Sequence, residues 1–232
     1  MEDKKITCFI PCRAGSERVP KKNIKPIGGF EYGLLQIKLE QVLSCKKINE
    51  VILSTNDPEI LSYGYKLQKK NHKLIIDERA AELCSSETST DEVIEYVPKI
   101  IREGHVLWTH VTSPFLTAKS YDAIISKFHN LGSDFDSLMT VNKIQNFLWG
   151  EKQPINYDRL VEKWPRTQTI DPIYEVNSGA FIVDIDSYFS VKDRIGAKPY
   201  LYVTDKFESL DVDWPGDFRF VSKLIECGVL DV

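Results

Sequence analysis

The sequence predicts an α/β fold in which a mostly parallel sheet is flanked by helices. Short apolar runs and helix-period segments follow one another as βαβαβ between Ile6 and Ile76, an order that winds a parallel sheet through right-handed crossovers. The first run, Ile6 to Pro11, is apolar at successive positions, as a strand covered on both faces is. It empties into a loop of small and cationic residues, and ligands of such sheets collect beyond the carboxyl ends of the strands.

That loop reads Arg13-Ala14-Gly15-Ser16-Glu17-Arg18, then Pro20, Lys21, Lys22 and Asn23. Gly15 lets backbone N–H groups approach an anion while Arg13, Arg18 and Lys22 offset its charge, which suits polyphosphate. The spacing is neither a Walker loop nor a dinucleotide fingerprint. After the turn at Pro26-Ile-Gly-Gly29, Leu34, Leu35, Ile37, Leu39, Val42 and Leu43 space a helix. Glu50 to Ser54 is the second strand. Asn56 or Asp57 can cap the following helix, with Pro58 in its first turn. Lys73 to Ile76 is the third strand. The polar stretch Asp77 to Thr90 reads as a loop ending in an N-cap for a helix from about Asp91 to Arg102.

His105 to His110 is a further strand, Lys119 to Asn130 a helix capped by Thr117, and Asp136 to Val141 an inner strand. From Asn142 to Ile173 the pattern loses its rhythm. Phe147, Trp149, Tyr157, Leu160 and Trp164 accompany Pro154 and Pro165 over about thirty residues, long for a structureless loop. Isolated hairpins cannot bury such rings alone, so the content fits a buried partner surface. Ala180 to Val183 and Lys198 to Val203 are late strands, and Pro215-Gly-Asp217 opens a closing helix with Phe218, Val221 and Leu224 on its apolar face. Just before it, Asp211 and Asp213 point to one side of an extended segment. Two carboxylates placed together repel unless a cation joins them, and oxygen ligation suits Mg2+ held with triphosphate and water.

Composition narrows the class. With 232 residues, 42% hydrophobic and 28% charged, one α/β domain over residues 1–232 is the economical organisation, residues 142–176 forming an insertion. A formal net charge of −4 argues against a general nucleic-acid surface but leaves room for a basic pocket. No apolar run approaches a membrane span, and Met1-Glu-Asp-Lys-Lys5 leads into a strand without a leader's apolar core. Five scattered cysteines without a C-x-x-C fit reduced thiols in a cytoplasm.

Taken together, these segments resemble the signature of the CMP-sugar synthetases, which activate sialic acids and related keto sugar acids with CTP. The family's first loop places R-x-x-S and P-x-K-N where this chain has Arg13, Ser16, Pro20, Lys22 and Asn23. The resemblance implies a Rossmann-like sheet of the nucleotide-diphospho-sugar transferase type, CTP as co-substrate and Mg2+ (or Mn2+) on Asp211 and Asp213. It makes Arg13, Lys22 and Asp211 catalytic, with Ala14, Gly15, Ser16, Arg18 and Asn23 around the triphosphate. Arg79, Ser85, Ser89 and Thr90 match the residues that surround cytosine and ribose, although Ser86-Glu87 replaces the usual acidic step. Thr112, Ser113 and Pro114 match the T-S-P block at the lip of the site.

Departures fall on the acceptor side. His110 stands where the family has glutamine; as a core or loop filler or as an acceptor contact, it is open at this point. Arg166, in Pro165-Arg-Thr-Gln168, is a candidate anchor for the acid's carboxylate, and Asn177 lies in an N-S-G block close to the family's N-G-A. Glu175 replaces an arginine, which points to an acid that is neutral, amino-bearing or differently branched. Trp214 replaces a threonine, and Glu17 a lysine of the sialate branch. Relatives send the region 142–176 to a second subunit, so a homodimer is implied; a lid over the acceptor is the rival role. The reading that results is cytidylyl transfer to a 2-keto-3-deoxy sugar acid. A non-sugar acid or phosphonate as acceptor, a metal-dependent glycosyltransferase and an inactive nucleotide-binding dimer are the competitors.

Overall fold

The computed structural model describes residues 4–228; Met1 to Asp3, part of the expected leaderless start, and residues 229–232 lie outside it. The strands are β1 (Ile6–Pro11), β2 (Glu50–Thr55), β3 (Leu74–Glu78), β4 (His105–Trp108), β5 (Ser137–Ile144), β6 (Ile173–Asp184) and β7 (Pro199–Val203). The helices are α1 (Gly33–Ser44), α2 (Pro58–Gln68), α3 (Thr90–Ile100), α4 (Ala118–His129), α5 (Ile185–Ser190) and α6 (Pro215–Glu226). Among the described residues the strands form one sheet in the order β3-β2-β1-β4-β6-β5-β7. Every pair is parallel except those made by β6, which runs antiparallel to both β4 and β5.

β1 shows why the sheet sits inside. Its Ile6, Cys8 and Ile10 join a core with α1, α2, α4 and α6, whereas Phe9 turns to the opposite core under α3 and α5. Phe9 is fully buried and meets Trp108 edge-on at 4.9 Å between ring centroids. Such a pair contributes about 0.5–1.5 kcal/mol beyond the area it buries. The caps are local. Asp57 accepts from the N–H groups of Glu59 (2.9 Å) and Ile60 (3.3 Å), Ser89 and Glu92 make a reciprocal box, and Thr117 starts α4.

The region from Asn142 is more regular than its sequence suggests. β5 continues to Ile144 and β6 begins at Ile173, pairing Val141 with Val176 and Ile144 with Ile173, so the irregular segment is 145–172. The outer end of β6 is largely exposed and that of β5 mostly half-buried, which blurs the inner-outer alternation a strand ordinarily displays. Between the two halves of β6 a register shift opens opposite Met139 and Val141, with Ser178 at φ +57°. Gly179 follows; a Cβ there would lie 2.5 Å from Leu116 Cδ1. Helix α5, capped by Asp184, carries no distinct sequence signal in its six residues.

Candidate active site

The loop after β1 is fastened by backbone groups before any ligand arrives. Cys12 N–H donates to Ser54 O (2.9 Å) and Ala14 N–H to Asn56 Oδ1 (2.9 Å), so Ala14 is a tether and its N–H is committed. Asn56 therefore holds the loop while Asp57 caps the helix. Gly15 sits at φ +79°, a conformation that a β-carbon disfavours. Asn23 Nδ2 donates to Arg13 O (3.3 Å), closing the loop on itself. Arg13, Gly15, Ser16, Arg18, Lys22 and Asn23 line a cavity of about 280 Å3, together with Glu17, His110 and Thr112. Among the described residues Arg13 makes only long polar contacts, 3.4 Å to the carbonyls of Ala14 and Gly15 and 4.0 Å to Glu17, which leaves most of its charge uncompensated.

The acidic pair meets these cations across nearly the whole length of the chain. Lys22 Nζ donates to Val212 O (2.7 Å) and Asp213 Oδ1 (3.2 Å), and Arg18 pairs with Asp213 Oδ2 at 3.2 Å. Arg18 also lies over the Trp214 ring, 4.5 Å from its centroid. Val212 N–H donates to Thr112 O (2.9 Å), tying this segment to the loop after β4. Asp211 turns inward, and its Oδ1 is buried without a hydrogen-bond partner among the described residues. Burial, and then the charge of Asp213, push its carboxyl above the ordinary range, against the opposing pull of the Thr112 hydrogen bond and Lys22. No group of three or more His, Cys, Asp or Glu side chains suited to a metal occurs among the described residues. A cation here would take two carboxylates from the chain and the rest of its shell from phosphate oxygens and water, as Mg2+ does. The orphaned buried oxygen of Asp211 fits that use.

A second cavity of about 220 Å3 adjoins the first and shares Pro11, Arg13 and His110 with it. Arg79, Thr88, Ser89 and Thr90 contribute to its wall. Arg79 is buried, its Nε donating to Cys84 Sγ at 3.1 Å, and its terminal nitrogens have no hydrogen-bond partner among the described residues. At the junction, His110 Nε2 receives Trp108 Nε1–H at 3.0 Å and lies 3.4 Å from Arg194 Nη1. Burial, followed by the charges of Arg194, Lys22 and Lys38, pushes the imidazole far below its usual value despite Asp213.

Ala14, Asp211 and Asp213 are not among the residues lining either cavity, and the other expected residues stand apart from both. Ser85 bonds to Thr88 (2.9 Å between hydroxyls), and it is Thr88 that reaches the wall. Ser113 is buried and offers its carbonyl to Lys38 Nζ (2.7 Å). Asn177 pins the β6 irregularity, donating to Asn142 Oδ1 (2.8 Å) and Thr204 Oγ1 (2.7 Å) and accepting Gly179 N–H (3.2 Å). Glu175 is exposed and accepts from Asn142 Nδ2 (2.9 Å), and Arg166 is exposed on the irregular segment. Sequence reasoning missed Thr88, Trp108, Lys38 and Arg194. Only Lys38 carried a signal, a lysine inside an apolar helix stripe.

Known proteins bear on this geometry. The cytidylyltransferase family profile matches residues 7–170. Two pseudaminic acid cytidylyltransferases of Campylobacter jejuni subsp. jejuni are 30% and 31% identical, over 95% of this chain and 96% of theirs. N-acylneuraminate cytidylyltransferase A of Danio rerio is 25% identical over 92% of this chain, which spans only 50% of that protein. In fold, the chain is similar to CMP:2-keto-3-deoxy-manno-octonic acid synthetase complexed with CTP, with TM-score 0.66 at 17% identity, covering 97% of this chain and 99% of that one. It is equally similar to 4-diphosphocytidyl-2C-methyl-D-erythritol synthase from Anaerococcus prevotii, with TM-score 0.66 at 15% identity and 96% of each chain covered. The chain belongs to the cytidylyltransferase family of nucleotidyltransferases, alongside the CMP-sugar synthetases.

Proposed function

We propose that the chain transfers the cytidylyl group of CTP to a sialic-acid-like 2-keto-3-deoxy sugar acid, giving the CMP-sugar and pyrophosphate. One observation carries the reading: Lys22, on the wall of the first cavity, joins the cationic loop after β1 to Asp213 of the acidic pair before α6. The two relatives named for pseudaminic acid match nearly end to end, so an acid of that type ranks first as acceptor. Glu175 in place of an arginine supports a departure from ordinary N-acylneuraminate.

In this reading the acceptor hydroxyl attacks the α-phosphorus in line. The new P–O bond forms as the bond to pyrophosphate breaks, pyrophosphate taking the electron pair and the hydroxyl proton passing to solvent. Holding the partners and stabilising charge supply most of such a rate. Arg13, Arg18 and Lys22 would compensate the triphosphate, and Ser16 and Asn23 would hydrogen-bond it. The free nitrogens of Arg79 suit the acceptor atoms of cytosine, O2 and N3. Asp211 and Asp213 would hold Mg2+, which when bound neutralises phosphate charge and lowers the pKa of a nearby hydroxyl.

The irregular segment would pack on a second copy of the chain. Leu160 and Val161 are 95% and 85% exposed there, and Arg166, the expected carboxylate anchor, lies outside both cavities of its own chain. The test follows pyrophosphate release with Mg2+, each of the four NTPs and a panel of keto sugar acids. Turnover is expected with CTP and a pseudaminic-type acid. Preference for another nucleotide, or release of free nucleotide in place of pyrophosphate, would overturn the assignment.

A further inference from the structure

The junction of the two cavities is walled by a histidine whose protonation is chemically determined. An indole N–H and a guanidinium N–H can only donate, and both are directed at His110 Nε2, from Trp108 at 3.0 Å and Arg194 at 3.4 Å. That nitrogen must accept, so it carries no proton. Nδ1 has no hydrogen-bond partner among the described residues and is not enclosed, and the ring lines both cavities. Arg194 comes from the segment after α5 and is fixed independently. Its guanidinium stacks over Phe181 (3.9 Å) and Trp108 (5.2 Å), neighbours across β4 and β6, and it makes no ion pair with a carboxylate within 4.0 Å among the described residues. Asp193 and Asp91 act on it only from beyond that distance, so a guanidinium without a carboxylate in contact stands behind the histidine and opposes a second positive charge on the ring.

We propose that Trp108 and Arg194 are positioning residues that lock His110 as a neutral imidazole protonated at Nδ1, so that Nδ1–H is a standing hydrogen-bond donor to a ligand oxygen at the junction. The ligand oxygen is named on the strength of the cytidylyl-transfer reading; the lock itself is not. Its consequence is selective. A phosphoryl, carboxylate or hydroxyl oxygen is accepted at this point, whereas an ammonium would face a donor and a nearby cation. The charged groups acting on the ring, Arg194, Lys22 and Lys38 against Asp213, favour the neutral form across the range in which a free histidine titrates.

The test is long-range 15N–1H NMR of the intact protein labelled at its four histidines, with His110→Gln used for assignment. The expected spectrum shows Nδ1 protonated and Nε2 unprotonated at neutral pH, without titration down to mildly acid pH. An imidazolium or an Nε2–H ring would overturn the lock. This readout needs no turnover, so failure of the cytidylyl-transfer reading would show as absent catalysis beside an intact Nδ1–H signal. Kinetics supply the second arm. Arg194→Met keeps the aliphatic cover over Phe181 and removes the donor; a mixed tautomer and a raised KM are expected, with kcat less affected. A raised KM for CTP assigns the oxygen to the nucleotide, and a raised KM for the sugar acid assigns it to the acceptor. His110→Ala is expected to cost about tenfold to a hundredfold in kcat/KM, and His110→Gln, which retains an N–H donor, to recover much of it. Unchanged ring signals and kinetics in Arg194→Met would remove Arg194 from the lock.

Discussion

The cavity wall and the outer ribbon of β5 and β6 belong to one sheet, yet they differ in how their side chains are spent. In the wall, groups far apart in sequence satisfy one another: Lys22 with Val212 and Asp213, Val212 with Thr112, and Ala14 with Asn56. On the ribbon and the segment it carries, Trp149, Leu160, Val161 and Trp164 remain exposed, and Phe147 meets Tyr157 and Trp164 only edge-on at 5.4 and 5.3 Å. Most of the nucleotide-side candidates therefore converge within a single chain. The acceptor-side candidates Arg166 and Glu175 do not. The contrast teaches that the second half of the site calls for a further surface, which the proposal assigns to a second copy.

Mixing two impaired variants tests this contrast most forcefully. Lys22→Ala removes a cation held between the loop and the acidic pair, and a loss of about a hundredfold or more in turnover is expected. Arg166→Ala is expected to raise the KM for the acid by about tenfold or more, as loss of a charge-assisted pair does. If Arg166 serves the partner's cavity, random reassortment places both intact residues in one site of each mixed dimer. With the acid held well below its KM, pyrophosphate release should then return to roughly a quarter of the wild-type rate. Mixtures no more active than their components would show that the segment acts on its own chain, as a lid.

The same contrast explains what the sequence could tell. β1, β2, α1 and the cap of α4 were legible because burial on both faces, helical spacing and a threonine N-cap are local properties. The cationic loop after β1 was legible as a cavity wall because its glycine and clustered cations lie within a dozen residues. The extension of β5 past Val141 was hidden because Asn142 and Ile144 are only half-buried and Lys143 is exposed, which leaves no buried face to read. Asn177 was expected near the acceptor on the basis of its motif, while its amide holds Asn142, Thr204 and Gly179 in place, contacts that only the folded sheet creates. Arg194 is 84 residues from His110, and nothing local marks their encounter.

A smaller effect separates the acidic pair from the ribbon's own carboxylate. Asp211 has a carboxyl raised by burial and by Asp213. The native state therefore keeps this proton to higher pH than the unfolded chain does, and stability falls as pH climbs between the two values. Above the raised folded-state value that cost is complete. Asp211→Asn should consequently raise the Tm of the ligand-free protein at pH 7 while abolishing Mg2+-dependent turnover. Glu175→Gln, on the exposed ribbon, should leave Tm where it was. A fall in Tm for Asp211→Asn would mean that the carboxylate stabilises the empty site and would remove the strain that suits it to a cation.

The smallest effect concerns what supports the wall from beneath, where the ribbon has no counterpart. Lys38 is fully buried in α1 and donates to Ser113 O (2.7 Å) and Tyr121 Oη (2.6 Å); Gln41 on the same helix donates to Pro114 O (2.5 Å). Together they hold the backbone on which Thr112 presents its carbonyl to Val212. Burial lowers the Lys38 amine to about 7, with Cys8 and Asp211 acting weakly in the other direction. Above that value the native state has lost this proton while the unfolded chain retains it to about 10.4, so Lys38 makes stability rise with pH from 7 upward. Burial raises the thiols of Cys8 and Cys12 and reverses the trend once unfolded cysteines ionise near 8.5, which confines the clean window to about pH 7–8.5. Urea unfolding across that window should give a more positive slope for the wild type than for Lys38→Met. Equal slopes would place the ammonium's third hydrogen on a partner strong enough to keep it charged, and the loop after β4 would then rest on a buried cation.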